Sequence, residues 1–343
     1  MQQETSIPIV FAFDDGFALP GSIAIASLVQ AAKTITRYDI YVLHDGLPKD
    51  TRDKLAQIVE GTAHQLTFHH LDQDVIRDAP TSKNWPAIVY ARLFIPKMFP
   101  QFDKVIYSDV DVLFKCDLTA LFNEDLEGYH IAAVPAETMG QAFRLHQRLD
   151  GYQNKSIFMS GLIIFNTPAI LADDLCDKMG ALANQYGDQL KMFDLELMNL
   201  AFSKIKPIAI DYCVLEWLLS ETPTSAAEWQ MLVQTHGEEA LECAIQAPKI
   251  VHYAGHLIKV WDRTEQPEDY LRYVKRSPFA FRWKQVAARK AEVQRHLWFY
   301  TLLSKVHPLR RKRHDLRGVL KQIRVDQQAK AWATRKLGGS SLS

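Results

Sequence analysis

The sequence predicts an α/β fold with a mostly parallel central sheet, on three observations. Strand-like and helix-like segments alternate through the first half of the chain. The first strand-like run, Ile7 to Phe13, is continuously apolar, as strands buried on both faces are. Two of the strand-like runs end on acidic pairs, at the edge where open α/β sheets bind ligands.

Ile7 to Phe13 is the first such run, and Pro20 opens a helical stretch to about Ala32 with Ile23, Ala26 and Ser27 on one face. Asp39 to Leu43 is the next strand, and Pro48 starts a helix reaching about Val59. Leu66 to Leu71 reads as strand, Tyr90 to Met98 as helix, Lys104 to Ser108 as strand, Phe158 to Phe165 as a further buried strand, and Met192 to Phe202 as helix. After Val251-His252 the pattern changes: from Pro267 on it is mainly helical and rich in Lys, Arg and aromatics. This divides the chain into a sheet-based domain, 1–265, and a helical, basic C-terminal region, 266–343, whose end from Gly338 reads as disordered.

The 343 residues suffice for one large α/β domain with an appendage. A hydrophobic share of 48% with 23% charged residues is that of a soluble globular protein, and no run of about 18 apolar residues could span a bilayer. Met1-Gln-Gln-Glu-Thr has neither the basic nor the apolar part of a signal peptide, which points to the cytoplasm. Cys116, Cys176, Cys213 and Cys243 show no Cys-x-x-Cys spacing and read as buried thiols in a reducing compartment. The net charge of zero hides an asymmetry: Thr301 to Ser343 carries eleven Lys or Arg against two acids, +9, so the first 300 residues carry −9. Aromatics (Leu297-Trp-Phe-Tyr) followed by Arg310-Arg-Lys-Arg313 suit an anionic membrane surface, while a helix packed on the catalytic domain with a solvated basic face is the alternative. No nucleic-acid recognition fold accompanies the charge.

Three clusters carry chemistry. Asp109 and Asp111 end the run Lys104-Val-Ile-Tyr-Ser, and on extended backbone residues two apart point the same way. The apolar sequence continues past them, so these carboxylates are desolvated and need a partner, a hard divalent cation or a phosphate. Asp72-Gln-Asp74 has the same spacing but polar surroundings and reads as a solvated turn. Asp14-Asp15-Gly16 ends the first strand, where a carboxylate either accepts hydrogen bonds from a nucleotide or caps a turn. It is not a phosphate-cradling loop, since the chain has neither G-x-G-x-x-G nor a Walker motif. In Val251-His252-Tyr-Ala-Gly255-His256-Leu-Ile-Lys259-Val-Trp261 an imidazole, a backbone N–H and a cation follow a strand, and His252 would complete an Asp/Asp/His set. On the helix from Phe193, Asp194 and Glu196 do not share a face, so Asp194 faces a pocket or complements the helix dipole.

These clusters, in this order, resemble glycosyltransferase family 8, and within it the bacterial lipooligosaccharide galactosyl- and glucosyltransferases. The motifs are Val10-Phe-Ala-Phe-Asp-Asp15, Tyr90-Ala-Arg92-Leu, Asp103-Lys-Val-Ile-Tyr-Ser-Asp-Val-Asp-Val-Leu113, Ser160-Gly-Leu-Ile-Ile-Phe-Asn166 and His252-x-x-Gly255. The resemblance implies a GT-A fold and a hexosyltransferase that uses a UDP-hexose with Mn²⁺ (Mg²⁺ serving the same site), retains anomeric configuration, and acts on a glycan or glycolipid acceptor such as the lipopolysaccharide core. By position, Asp109, Asp111 and His252 resemble the metal ligands, and Val110 lies between the two acids in the donor site. Asp14 resembles the uracil contact, with Ala12 lining the same pocket. Arg92 and Asp194 match positions that hold the donor sugar, and Gly255 and Lys259 the diphosphate-binding pair. Basic tails of this kind in relatives that extend lipid-linked sugars imply a peripheral location on the inner face of the cytoplasmic membrane.

Five positions depart from the family pattern: Gly16 and Met159 for Asn, Asn84 for His, Leu195 for the Gln beside the sugar-binding Asp, and one extra residue between Gly255 and Lys259. They leave open a second function, a catalytically impaired nucleotide-sugar-binding protein. With no oxygen on Leu195 to face the anomeric carbon, the expectation is a front-face mechanism in which Leu195 excludes water.

Overall fold

The structure, a computed structural model, describes residues 5–71, 88–136, 157–190, 193–219, 226–254, 259–263 and 266–284. It divides into two compact units, Met1–His256 and Leu257–Ser343. The solvated turn expected at Asp72 and Asp74, the departure at Asn84, the diphosphate position Gly255 and the basic tail all lie outside the described residues.

The first unit is built on a seven-stranded sheet. Its strands are β1 (Thr5–Ala12), β2 (Thr36–His44), β3 (Gln65–His70), β4 (Lys104–Ser108), β6 (Ile131–Pro135), β7 (Phe158–Asn166) and β8 (Ile205–Pro207), in the order β3-β2-β1-β4-β7-β6-β8. β5 (Val112–Phe114), β9 (Val214–Leu215) and β10 (Ile250–His252) form a second, small sheet in the order β5-β10-β9. The expected strands are present; β1, β4 and β7 are buried almost completely, while β3, at the edge of the sheet, is exposed or half-buried along its length.

β3, β2, β1 and β4 run parallel. β7 is antiparallel to both β4 and β6, and β6 is parallel to β8. The sheet is therefore mostly parallel with one reversed strand. That reversal has a consequence for the site: because Ser108 pairs with Leu162, the beginning of β7, not its end, lies at the carboxyl edge of β4.

Helix Ala18–Ala31 is buried almost all round, from Ala18 to Leu28 apart from Ala26, rather than on one face, and it packs on β5 of the small sheet; Ser27 Oγ accepts from Phe114 N at 3.1 Å. Gly21 permits part of this packing, since a Cβ there would come within 2.7 Å of the Phe13 ring. The expected single helix from Tyr90 to Met98 is three short pieces, Ile88–Ala91, Arg92–Phe94 and Ile95–Met98. Pro96 has no N–H to continue the ladder, so a new turn begins there. Among the thiols Cys176 and Cys213 are buried as expected, but Cys116 is half-buried and Cys243 exposed on helix Glu238–Gln246; all four are free. In the second unit, helix Glu268–Arg276 buries Tyr270 and Val274 on one face.

Candidate metal and donor site

Asp109 to Asp111 is where the chain leaves one sheet for the other. β4 ends at Ser108, Val110 and Asp111 form a bend, and β5 begins at Val112. The two carboxylates therefore converge through a bend and not, as expected, through extended backbone. The small sheet then supplies the third group. His252 pairs with Val112 across β10 and β5, and Tyr253 N donates to the Asp111 carbonyl at 2.8 Å, which fixes the imidazole beside the bend. One ligand atom each from Asp109, Asp111 and His252 lie within 4.8 Å of one another. Nε2 of His252 is 3.1 Å from Asp111 Oδ1 and 3.7 Å from Asp109 Oδ2. Two carboxylates and an imidazole, preassembled at this spacing, are a donor set that fits Mn²⁺ or Mg²⁺.

β7 covers the triad from the other side. Asp109 N donates to the Gly161 carbonyl at 2.8 Å, and a Cβ on Gly161 would stand 2.4 Å from Cε1 of His252 and 3.1 Å from Asp109 Oδ2. Only glycine allows so close an approach. A glycine inside a buried strand is a sequence signal for this, though here it is legible only as part of a longer motif.

Arg92, buried at the start of its short helical turn, joins the triad to Asp194. Its Nη1 is 2.8 Å from Asp109 Oδ1 and 3.2 Å from Asp194 Oδ2. The same nitrogen donates to the Ser160 carbonyl at 3.3 Å, Nε donates to the Val89 carbonyl at 3.0 Å, and the guanidinium lies 4.7 Å over the Tyr107 ring. Tyr107 in turn donates its hydroxyl to Asp109 Oδ1 at 2.7 Å. Burial works against the Arg92 charge, but Asp109 and Asp194 outweigh it and hold the pKa above its ordinary value. The Asp194 carboxyl is raised too, by burial first and by Asp109, against the pull of Arg92 and Ser160. The two directions are compatible: one guanidinium serves two carboxylates, so Arg92 gains twice and Asp194 receives a share. His252 is held well above the usual imidazole range, since Asp111 and Cys213 overcome a burial that acts in the opposite sense.

Leu195 is buried in the first turn of helix Phe193–Ala201, next to Asp194. Its carbonyl accepts from Asn199 Nδ2 at 2.8 Å, while the Asn199 amide also bonds the backbone N–H and carbonyl of Phe158, at 2.8 and 2.9 Å. Val110 is buried within the bend, and Met159 is buried in β7 where the family pattern has Asn. Ala12 closes β1 beside Leu43 of β2. Asp14 follows β1 at the same edge, and its buried Oδ1 accepts no hydrogen bond from the described residues. Burial, then Asp45, raise its pKa, against the backbone N–H groups of Gly16 and Phe17. Asp15 has another duty, accepting from Thr51 Oγ1 at 2.5 Å. Lys259 belongs to the second unit, with Nζ 5.7 Å from the Trp261 ring centre.

A bend with two carboxylates at the carboxyl edge of a parallel sheet and a histidine brought in by a second sheet agrees with the comparison against known families. Residues 8–265 match the model of glycosyl transferase family 8. The chain belongs to that family. Among curated relatives, a lipopolysaccharide 1,2-glucosyltransferase of Escherichia coli is 23% identical over 213 residues, 60% of this chain and 62% of the relative. A lipopolysaccharide 1,3-galactosyltransferase of Salmonella typhimurium is 24% identical over 182 residues, 50% of this chain and 51% of the relative. The chain thus spans between half and two thirds of the length of these relatives. The crystal structure of the galactosyltransferase LgtC with donor and acceptor sugar analogs matches with a TM-score of 0.61 at 21% identity, over 83% of this chain and 96% of that one. The likeness gives the fold: this member of family 8 has the GT-A architecture of the glycosyltransferases it matches.

Sequence reasoning missed four residues of the site. Tyr107 lies two positions before Asp109 on the same strand and was detectable by period; Ser160 and Gly161 needed the direction of β7; Cys213, beside His252, has no sequence signal at all.

Proposed function

We propose that this protein is a retaining hexosyltransferase that moves galactose or glucose from a UDP-sugar to the core of a lipopolysaccharide or a similar surface glycan, with Mn²⁺ as cofactor and Mg²⁺ able to replace it. The observation that carries the reading is the convergence of Asp109, Asp111 and His252 within 4.8 Å at the carboxyl edge of the sheet, with Arg92 and Asp194 alongside. Those three residues would hold the metal, which when bound supplies a Lewis acid for the diphosphate. Asp14, with an oxygen still able to accept, takes the uracil N–H, Ala12 lines that pocket, and Val110 shapes the donor site between the two acids. Arg92 and Asp194 orient the sugar, one donating to and one accepting from its hydroxyls. By the family resemblance, Gly255 would offer a backbone N–H and Lys259 a positive charge to the departing diphosphate. The names of the two curated relatives support the hexose and the acceptor class. The basic tail holds the enzyme on the inner face of the cytoplasmic membrane, where lipid-linked acceptors are found.

Retention, which the family resemblance implies, needs either an enzyme nucleophile at the anomeric carbon or attack on the face that UDP leaves. Leu195 has no lone pair to attack it, and Asp194 is engaged by Arg92. The acceptor oxygen therefore adds to the face that UDP leaves: the C1–O bond to the β-phosphate breaks, the C1–O bond to the acceptor forms, and the acceptor proton passes to the departing phosphate oxygen. Leu195 keeps water from the same carbon.

The experiment is UDP release from UDP-galactose and UDP-glucose with Mn²⁺ and a panel of sugar acceptors. Wild-type protein should turn over and Asp111→Asn, still folded by circular dichroism, should lose at least a hundredfold; unchanged turnover in Asp111→Asn would sink the site. A second reading, a nucleotide-sugar-binding protein with impaired catalysis, is favoured by the apolar Leu195 and Met159 at family polar positions. It predicts UDP-sugar affinity without release above background.

A further inference from the structure

One buried side chain beside the triad has no place in that reading. Cys213 stands immediately before β9, 3% exposed, with Sγ 3.4 Å from Nδ1 of His252. The other ring nitrogen, Nε2, is the one that faces Asp111 and Asp109. A neutral imidazole carries one N–H and one lone pair. A cation between the carboxylates takes the lone pair of Nε2, so the proton must sit on Nδ1, and the sulfur lies where that N–H points. Metal-ligating histidines usually direct the second nitrogen to a carboxylate, a carbonyl or water, which fixes both tautomer and ring orientation. Here a cysteine sulfur stands in that place.

We infer that Cys213 is a positioning residue for the metal, its sulfur accepting the hydrogen bond from Nδ1–H of His252 and so presenting a bare Nε2 to the cation. The inference rests on the metal reading above. The sulfur is well placed for the task because its backbone is fixed: Cys213 N donates to the Ile210 carbonyl at 2.9 Å, and the next residue, Val214, pairs with Val251 of β10. The ring cannot swing aside toward β7, where Gly161 already touches Cε1. It is held by a sulfur at one nitrogen and a glycine at the adjoining carbon, with the remaining nitrogen directed at the acids.

The test is Mn²⁺ affinity, read as free Mn²⁺ by electron paramagnetic resonance, for wild type, Cys213→Ala and Cys213→Ser. Loss of an outer partner of this kind commonly costs 10–100-fold in metal affinity. Cys213→Ala should weaken binding by about that factor, and Cys213→Ser, which keeps an acceptor, should recover most of it. Long-range ¹H–¹⁵N spectra of histidine-labelled, Mg²⁺-loaded wild-type protein should show His252 protonated on Nδ1, a readout that does not depend on the stability of any variant. Affinity of Cys213→Ala within twofold of wild type, equal losses in the Ala and Ser variants, or an Nε2–H tautomer in the loaded wild type would each overturn the inference and leave the metal site standing. Wild-type protein that binds no Mn²⁺ would overturn both.

Discussion

Burial holds the Asp194 carboxyl above the ordinary carboxylate range, and Asp109 adds to the effect, while Arg92 and Ser160 oppose it without cancelling it. A carboxyl whose folded pKa exceeds its unfolded value favours folding where it is protonated. That contribution is complete below the unfolded value, 3.8, and is lost as pH rises through the folded one. Wherever the group is ionised it therefore costs stability, a cost that its proposed role at the donor sugar would account for. Asp194→Asn keeps the shape and leaves Arg92 its bond to Asp109. It should lose transfer at least a hundredfold yet be as stable as wild type, or more so, in urea unfolding at pH 7, with the difference narrowing at pH 4. A clearly less stable variant at pH 7 would show that Arg92, not burial, dominates. Leu195 poses the opposite case, a buried apolar group whose removal would open space where the proposed mechanism puts the reacting carbon. Leu195→Ala should raise UDP release without acceptor relative to transfer, and the product should keep its anomeric configuration by NMR. An inverted product, or a glycosyl ester on Asp194 or Glu196, would refute front-face transfer.

At the scale of elements, the site depends on how helix Phe193–Ala201 is tied to β7, and Asn199 makes that tie with two hydrogen bonds to Phe158, its third going to the Leu195 carbonyl within the helix. Asn199→Ala leaves the Phe158 N–H and carbonyl without their buried partner. The cost should be about 2–3 kcal/mol, since one unsatisfied buried group costs about 1–3 kcal/mol. Denaturant unfolding measures it, and a loss under about 0.5 kcal/mol would mean that water replaces the amide. The same elements explain what could be read from the chain. β1, β4 and β7 are continuous apolar runs, and long runs of that kind announce themselves. β10 is legible as the strand that delivers His252, but β5, β8 and β9 have two or three residues each, too few for any period, and β6 is an Ala-rich stretch ending in Pro. Strand direction is not written in an apolar run either, so the reversal of β7 had to come from pairing. Asp109 and Asp111 were legible from spacing. Their convergence with His252 depends on the small sheet, so the residues alone offered it only as a candidate Asp/Asp/His set, which the family resemblance then supported.

On the scale of the whole molecule, charge is the feature that the sheet does not explain. The last 43 residues carry +9 and the first 300 carry −9, and the tail lies beyond the described residues. No helix among the described residues is long and apolar enough to cross a membrane; the proposed membrane contact is one of surface attraction, aided by Trp298 and its aromatic neighbours. Each Lys or Arg near an anionic surface contributes about 1 kcal/mol, so Arg310, Arg311, Lys312 and Arg313 together supply roughly 4 kcal/mol, on the order of a thousandfold in partitioning. The attraction should be screened by salt, because the Debye length falls from about 30 Å at 0.01 M to about 3 Å at 1 M. Full-length protein is therefore expected to sediment with phosphatidylglycerol vesicles at low ionic strength and to be released by salt. The fourfold variant Arg310→Ala, Arg311→Ala, Lys312→Ala and Arg313→Ala should remain in the supernatant and still transfer to a soluble acceptor. Salt-independent sedimentation would assign the contact to the aromatics instead. Full-length protein that stays free of such vesicles even at the lowest salt would leave the tail as a solvated basic segment, and the membrane reading would be wrong.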